Sequence, residues 1–177
     1  MTIDVYTTAA RIDLSLNGTP VGSRPASRAT KFIASFEVPW APGTLRAVGF
    51  DDEGRDVGAT ELVTAGEPAS LSAAADRPSI RASRNDLAYV TVEVVDAAGR
   101  RVPDAARPLR FSVIGPADLA GHASGNPADA SSYRGYLRTT FDGRAIAVLR
   151  PTGQPGTIEL LVESPGLTRA AVNVEAR

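Results

Sequence analysis

The stretch "RIDLSLNGTPVG", residues 11–22, decides the fold. Ile12, Leu14 and Leu16 alternate with Asp13 and Ser15, the two-residue period of a strand that buries one face. Asn17-Gly18 then supplies two adjacent positions that accept positive φ, as a type I′ hairpin turn requires. The segment reads as a strand, a tight turn and a return. The residues on either side continue in the same style. Phe32, Ala34, Phe36 and Val38 alternate and are closed by "PWAPG" at 39–43. Val48 and Phe50 share one face of "TLRAVGF" at 44–50, and Leu62 and Val63 lie in a last short run.

The second half repeats this on a larger scale. Val90, Val92 and Val94 point one way, and Tyr89, Thr91 and Glu93 the other. "PLRFSVIG" at 108–115 places Leu109, Phe111 and Val113 on one face; "RAIAVLRPT" (144–152), "TIELLVES" (157–164) and "RAAVNVEA" (169–176) are further strands. Gly or Pro interrupts every window that could hold a 3.6-residue period, so no helix is expected. Turn signals between short strands predict an all-β chain of two tandem immunoglobulin-like β-sandwich domains. The boundary falls in "TAGEPAS" at 64–70, giving domains at 1–64 and 65–177. A linker this short predicts a fairly fixed relation between them. The stretch 115–135, "GPADLAGHASGNPADASSYRG", lacks strand character and is the long loop in which function is expected.

Two segments echo each other: "GFDDEGRDVGA" at 49–59 and "VVDAAGRRVPD" at 94–104, both carrying Asp-x-x-Gly-Arg-x-Val. Asp first and Gly fourth suit a type I turn whose Gly takes the left-handed conformation of a G1 bulge. Asp51, Asp52, Glu53 and Asp56 could draw Ca²⁺, but they lack the alternating ligand spacing of a calcium loop. The second copy keeps the turn with Ala97-Ala98, so a solvated corner is the expectation and no metal site is assigned.

The chain has 177 residues, 19 basic and 20 acidic, with a net charge of −1. No basic field exists to attract nucleic acid or an anionic membrane. Without cysteine there is neither a disulfide framework nor a thiolate metal site. No apolar run approaches a membrane span, and the first residues lack the pattern of a signal peptide. The abrupt entry into a strand near Met1 predicts a segment cut from a longer protein. Arg supplies every basic residue except Lys31, and is expected to serve solubility and to pair with carboxylates between domains.

At "RIDLSLNGTPVG", "FEVPWAPGTLRAVGFDDEGR", "LAYVTVEVVDAAGRRVPDA" and "FDGRAIAVLRPTGQPGTIEL" the chain resembles the C-terminal β-sandwich domains of bacterial glycoside hydrolase family 2 enzymes, the β-galactosidase-like group. Residues 1–64 look like the sandwich that follows the catalytic (β/α)8 barrel. Residues 65–177 look like the next immunoglobulin-like domain, invasin-like in style. The resemblance implies an exported bacterial parent, periplasmic or extracellular, with the catalytic domains of that parent as partners. That family is retaining and works with two glutamates about 5–5.5 Å apart. Its active-site motifs are absent here, so no catalytic residue and no cofactor are assigned. The family's Ala-Gly-x-Gly-Asn-Gly-Asp-Pro reads "AGHASGNP" at 120–127, with Ala123, Ser124 and Asn126 in place of Gly, Asn and Asp.

The expected role is that of a non-catalytic accessory segment. An independent carbohydrate-binding module and an invasin-type adhesion module are the alternatives. Among the glutamates, Glu37, Glu93 and Glu159 sit between apolar neighbours and should face solvent. The only histidine, His122, is expected to be a surface residue or a local hydrogen-bonder in the loop. Sugar rings stack on exposed aromatics. Tyr133 and Tyr136 in the long loop are the better candidates, and Trp40, between Pro39 and Pro42, is read chiefly as a cap on the sandwich end.

Overall fold

The computed structural model describes residues 1–177 as strands and turns, with no helix. The chain divides into two compact units, Met1–Thr64 and Ala65–Arg177.

In the first unit the opening hairpin forms as its sequence dictates. β1 (Thr2–Tyr6) precedes it; β2 (Arg11–Leu16) and β3 (Thr19–Pro25) are joined by Asn17 at φ 52° and Gly18 at φ 78°. β4 (Ile33–Glu37), β5 (Thr44–Phe50) and β6 (Asp56–Val63) follow. The strands make a two-stranded sheet, β1-β4, and a four-stranded sheet, β3-β2-β5-β6. Ile12, Leu14, Ala34, Phe36, Val38 and Ala47 fill the space between them.

Two local readings change. Phe32 lies outside β4: with Lys31 it turns through positive φ, 62° and 56°, and its ring is exposed. The buried alternation is therefore Ala34, Phe36, Val38. In β5 the inward row is Leu45, Ala47 and Gly49, because Ala47 opposes the core residue Leu14 of β2. Val48 and Phe50 do share a face, but it is the outer one, where the Arg11 guanidinium lies 4.4 Å from the Phe50 ring centroid.

The second unit carries β7 (Ser70–Ala75), β8 (Ser79–Ile80), β9 (Ala88–Val95), β10 (Pro108–Ile114) and β11 (Ala117–Ala123). β12 (Leu137–Thr139), β13 (Arg144–Pro151), β14 (Gly156–Glu163) and β15 (Ala170–Ala176) complete it. A five-stranded sheet, β12-β10-β14-β15-β8, faces a four-stranded sheet, β11-β13-β9-β7. All pairings are antiparallel except β15 with β8. Val90, Val92, Val94, Ala147 and Leu149 meet Leu109, Phe111, Ile158, Leu160, Val162 and Val174 in a closed core. The stretch 115–135 is not one loop, since β11 occupies its first third and pairs with β13.

Asp86 ties the entry of this sandwich together. The Arg81 and Leu87 N–H groups donate to its carboxylate at 2.9 and 3.0 Å, and Arg77 Nη2 donates at 3.0 Å. Those amide bonds, Arg81 first, lower its pKa to about 2. A depressed carboxylate stabilises the fold above its unfolded pKa, near 3.8, and that stability is lost as pH falls through the folded value. Acid unfolding followed by circular dichroism should therefore show wild type losing stability relative to Asp86→Asn between about pH 4 and pH 2. Phe111→Ala should cost about 3–5 kcal/mol in urea unfolding, since its ring is fully enclosed.

Candidate functional site

The repeated turn is a device of the backbone. In the first copy the Glu53 and Arg55 N–H groups donate to Asp51 Oδ1 at 3.0 and 2.9 Å, and Gly54 stands at φ 78°. In the second, the Ala98 and Arg100 N–H groups donate to Asp96 Oδ1 at 2.9 and 2.8 Å, and Gly99 stands at φ 77°. Gly66 N–H adds a bond to Asp96 Oδ2 at 2.8 Å. These donors hold both carboxyls below the usual carboxylate range, through Arg55 N–H first for Asp51 and Gly66 N–H first for Asp96. Both carboxylates are occupied in shaping their own corners.

The polar centre of the second unit lies at one edge of the sandwich. β11 is the edge of one sheet and β12 the edge of the other. His122 opposes the core residue Ala147, and Arg138 opposes the core residue Leu109, so both side chains point inward. His122 is buried on a strand, not exposed in a loop, and stacks on Phe111 with ring centroids 5.7 Å apart. Arg138, 5% exposed, donates from Nε to His122 Nδ1 at 3.0 Å. Its Nη1 donates to Asp129 Oδ2 and to Ser131 Oγ (2.7 Å), and its Nη2 to the Ser132 carbonyl (2.5 Å). The planar fork thus satisfies several acceptors at once, which an ammonium could not do. The loop 124–136 is hung on this guanidinium.

Composition gives no sign of this cluster, because the 18 arginines read together as solubilising and carboxylate-pairing residues. A three-residue strand is too short to show which face its middle residue takes.

Tyr133 and Tyr136 are 65% and 64% exposed on the same loop. The Arg138 guanidinium lies 5.8 Å from the Tyr133 ring centroid. Tyr133 lines a recess of 230 Å³ with Asn126, Pro127, Asp129 and Arg138, and Tyr136 does not. Trp40 belongs to the first unit and is not a cap over its core. It is 70% exposed on the rim of a groove.

His122 also sets a pH response. Burial first, then the Arg138 charge, pushes its pKa below 6.5, while the backbone at His122 and Gly135, and last Asp129, pull the other way. Accepting from Arg138 leaves Nδ1 bare and puts the proton on Nε2. A group held neutral in the fold keeps its full contribution above its unfolded pKa and loses it as pH falls below about 6.5. Protection factors of residues 124–136, exchange corrected for its intrinsic pH dependence, should fall below that pH in wild type and stay flat in His122→Gln, whose amide oxygen replaces the acceptor. Arg138→Met, which removes the donor shared by His122, Asp129, Ser131 and Ser132, should destabilise the chain in urea unfolding.

The tandem sandwiches define a β-sandwich module. Residues 71–173 match the glycoside hydrolase family 2 C-terminal domain 5, and residues 1–58 match a domain of unknown function, DUF4982. The chain belongs to the C-terminal β-sandwich domains of glycoside hydrolase family 2. It is 32% identical over 171 residues to beta-galactosidase BoGH2A of Bacteroides ovatus, covering 97% of this chain and 20% of that protein. It is 30% identical over 179 residues to a beta-glucuronidase of Formosa agariphila, covering 99% of this chain and 18% of that protein. A crystal structure of a family 2 member from Bacteroides cellulosilyticus superposes with a TM-score of 0.96 at 32% identity, over 99% of this chain and 23% of that one. The chain therefore spans about a fifth of the length of the curated relatives it matches.

Proposed function

We propose that this chain is a non-catalytic accessory segment of a family 2 glycoside hydrolase, serving the architecture of a parent enzyme whose catalytic domains are its partners. The observation that carries the reading is the match of nearly the whole chain to a fifth of each enzyme-sized relative. The chemistry of the carboxylates supports it. A glycosidase needs one carboxylic acid with a raised pKa beside a second carboxylate. Asp51, Asp86, Asp96 and Asp129 are all shifted downward, by donors that hold turns or the Arg138 loop. Glu93 bonds Arg144 Nε at 2.9 Å on an outer sheet face.

The pure 177-residue chain should show no turnover of nitrophenyl galactoside or nitrophenyl glucuronide. Hydrolysis that a single glutamate substitution abolishes would overturn the reading.

A second reading is supported by exposed Tyr133 at the recess with Asn126 and Asp129, and by exposed Tyr136 on the same loop. In it the loop contacts carbohydrate through Tyr133 and Tyr136, with Trp40 a separate aromatic surface. Titration calorimetry with galacto-oligosaccharides should then give saturable binding, weakened about tenfold or more by Tyr133→Ala, a loss in keeping with one sugar-stacking aromatic. An absence of heat at millimolar sugar excludes it.

A further inference from the structure

The first unit is a sandwich with one side uncovered. Its larger sheet has four strands and its smaller sheet two. β6 pairs only with β5, in a register that sets Leu62 opposite Leu45, Thr60 opposite the core residue Ala47, and Gly58 opposite Gly49. Leu62 and Thr60 therefore face the interior side of the sheet, yet Leu62 is 67% exposed because no strand lies across from it. Grooves of 220 and 290 Å³ flank this inner face of β6. One is lined by Ile3, Leu16, Trp40, Leu45 and Leu62, the other by Val5, Ile12, Ala47, Val57 and Thr60. β1 borders both, with Ile3 and Val5 turned inward.

The free edge of β1 specifies what fits. Val38 N–H donates to the Met1 carbonyl at 2.9 Å, and Thr7 N–H donates to the Phe32 carbonyl at 3.0 Å. Antiparallel pairing alternates, so Met1, Ile3, Val5 and Thr7 turn their backbone groups to β4, and Thr2, Asp4 and Tyr6 turn theirs outward. A row of backbone donors and acceptors beside an apolar face is the template for an added strand. Such a strand would bond Thr2, Asp4 and Tyr6 and lay alternate apolar side chains on Leu62.

We infer that this edge receives an extended segment of the parent polypeptide from outside these 177 residues, making the smaller sheet three-stranded. The inference rests on the accessory reading above. The occupant follows from the comparisons: about four-fifths of each curated relative lies outside the matched stretch, and the matched stretch alone already superposes on 99% of this chain. A covering strand therefore comes from the remainder.

The test is hydrogen–deuterium exchange at the Thr2, Asp4 and Tyr6 amides, in the 177-residue chain and in the longer polypeptide that carries it. These amides should exchange freely in the first and about a hundredfold more slowly in the second. Asp4→Pro removes an outward N–H, which an edge strand tolerates, together with the exposed bond that Ser35 Oγ donates to Asp4 Oδ1 at 2.6 Å, and should abolish the protection of Thr2 and Tyr6 in the longer polypeptide. Leu62→Lys should do the same without touching β1. Equal exchange in both forms overturns the inference. So does protection in the 177-residue chain through a dimer that Asp4→Pro dissolves, which would make the occupant a second copy. Assay of the longer polypeptide on nitrophenyl glycosides keeps the two readings apart. An inactive polypeptide with a protected edge refutes the accessory role and leaves the strand; an active one with an open edge does the reverse.

Discussion

A strand whose side chains alternate in character buries only one face of its sheet, and that face needs a second sheet across from it. The second unit meets this constraint fully. Its five strands cover four, and Val90, Val92, Val94, Leu149, Leu160 and Val162 lose essentially all contact with solvent. The first unit meets it in part. Two strands cannot cover four, so the buried row stops at Ala47 of β5 and the row on β6 stays open. Everything distinctive about the first unit, from the exposed Leu62 to the flanking grooves, follows from that mismatch in strand number.

The second constraint is the cost of a buried charge. A guanidinium taken out of water must recover its hydration from fixed acceptors. Arg138 does so with His122, Asp129, Ser131 and the Ser132 carbonyl. Three of these partners lie in the segment 124–136, so satisfying the charge also sets the path of the loop that presents Tyr133. Within this segment Asn126 makes its own turn, accepting from Ala128 N–H at 3.0 Å.

What could be read in the sequence was what local chemistry decides. Asn17-Gly18 forces its turn, and Asp51 and Asp96 collect the amides two and four residues ahead, so these features depend on a few neighbouring residues. The alternations of β9, β10 and β14 are long enough to declare their buried face. What was misread depends on partners distant in sequence. β11 is poor in β-branched residues and reads as a loop until β13 pairs with it. His122 and Arg138 are sixteen positions apart and meet only because their strands edge facing sheets. Phe32 continued an apparent alternation, but the turn at 27–32 places it in a left-handed conformation outside the strand. Trp40 reads from its flanking prolines as a cap on the sandwich end, yet its ring stands exposed on the rim of the groove beside Leu45 and Leu62.

Both units face the same problem, a sandwich whose two layers gape at one side, and they solve it differently. At the β11–β12 side of the second unit the gap is closed from within by a polar plug. Arg138 and His122 reach across between the sheets, and the loop folds over them. That solution needs a buried charge and a long connecting segment to neutralise it. The first unit has neither at its β1–β6 side: its connections there are short, and the residues lining the gap are apolar or small. An apolar gap is closed by apolar cover, and an edge of outward N–H and C=O groups by backbone. An extended chain with alternating apolar side chains supplies both together, which is why the first unit reads as a socket where the second reads as complete.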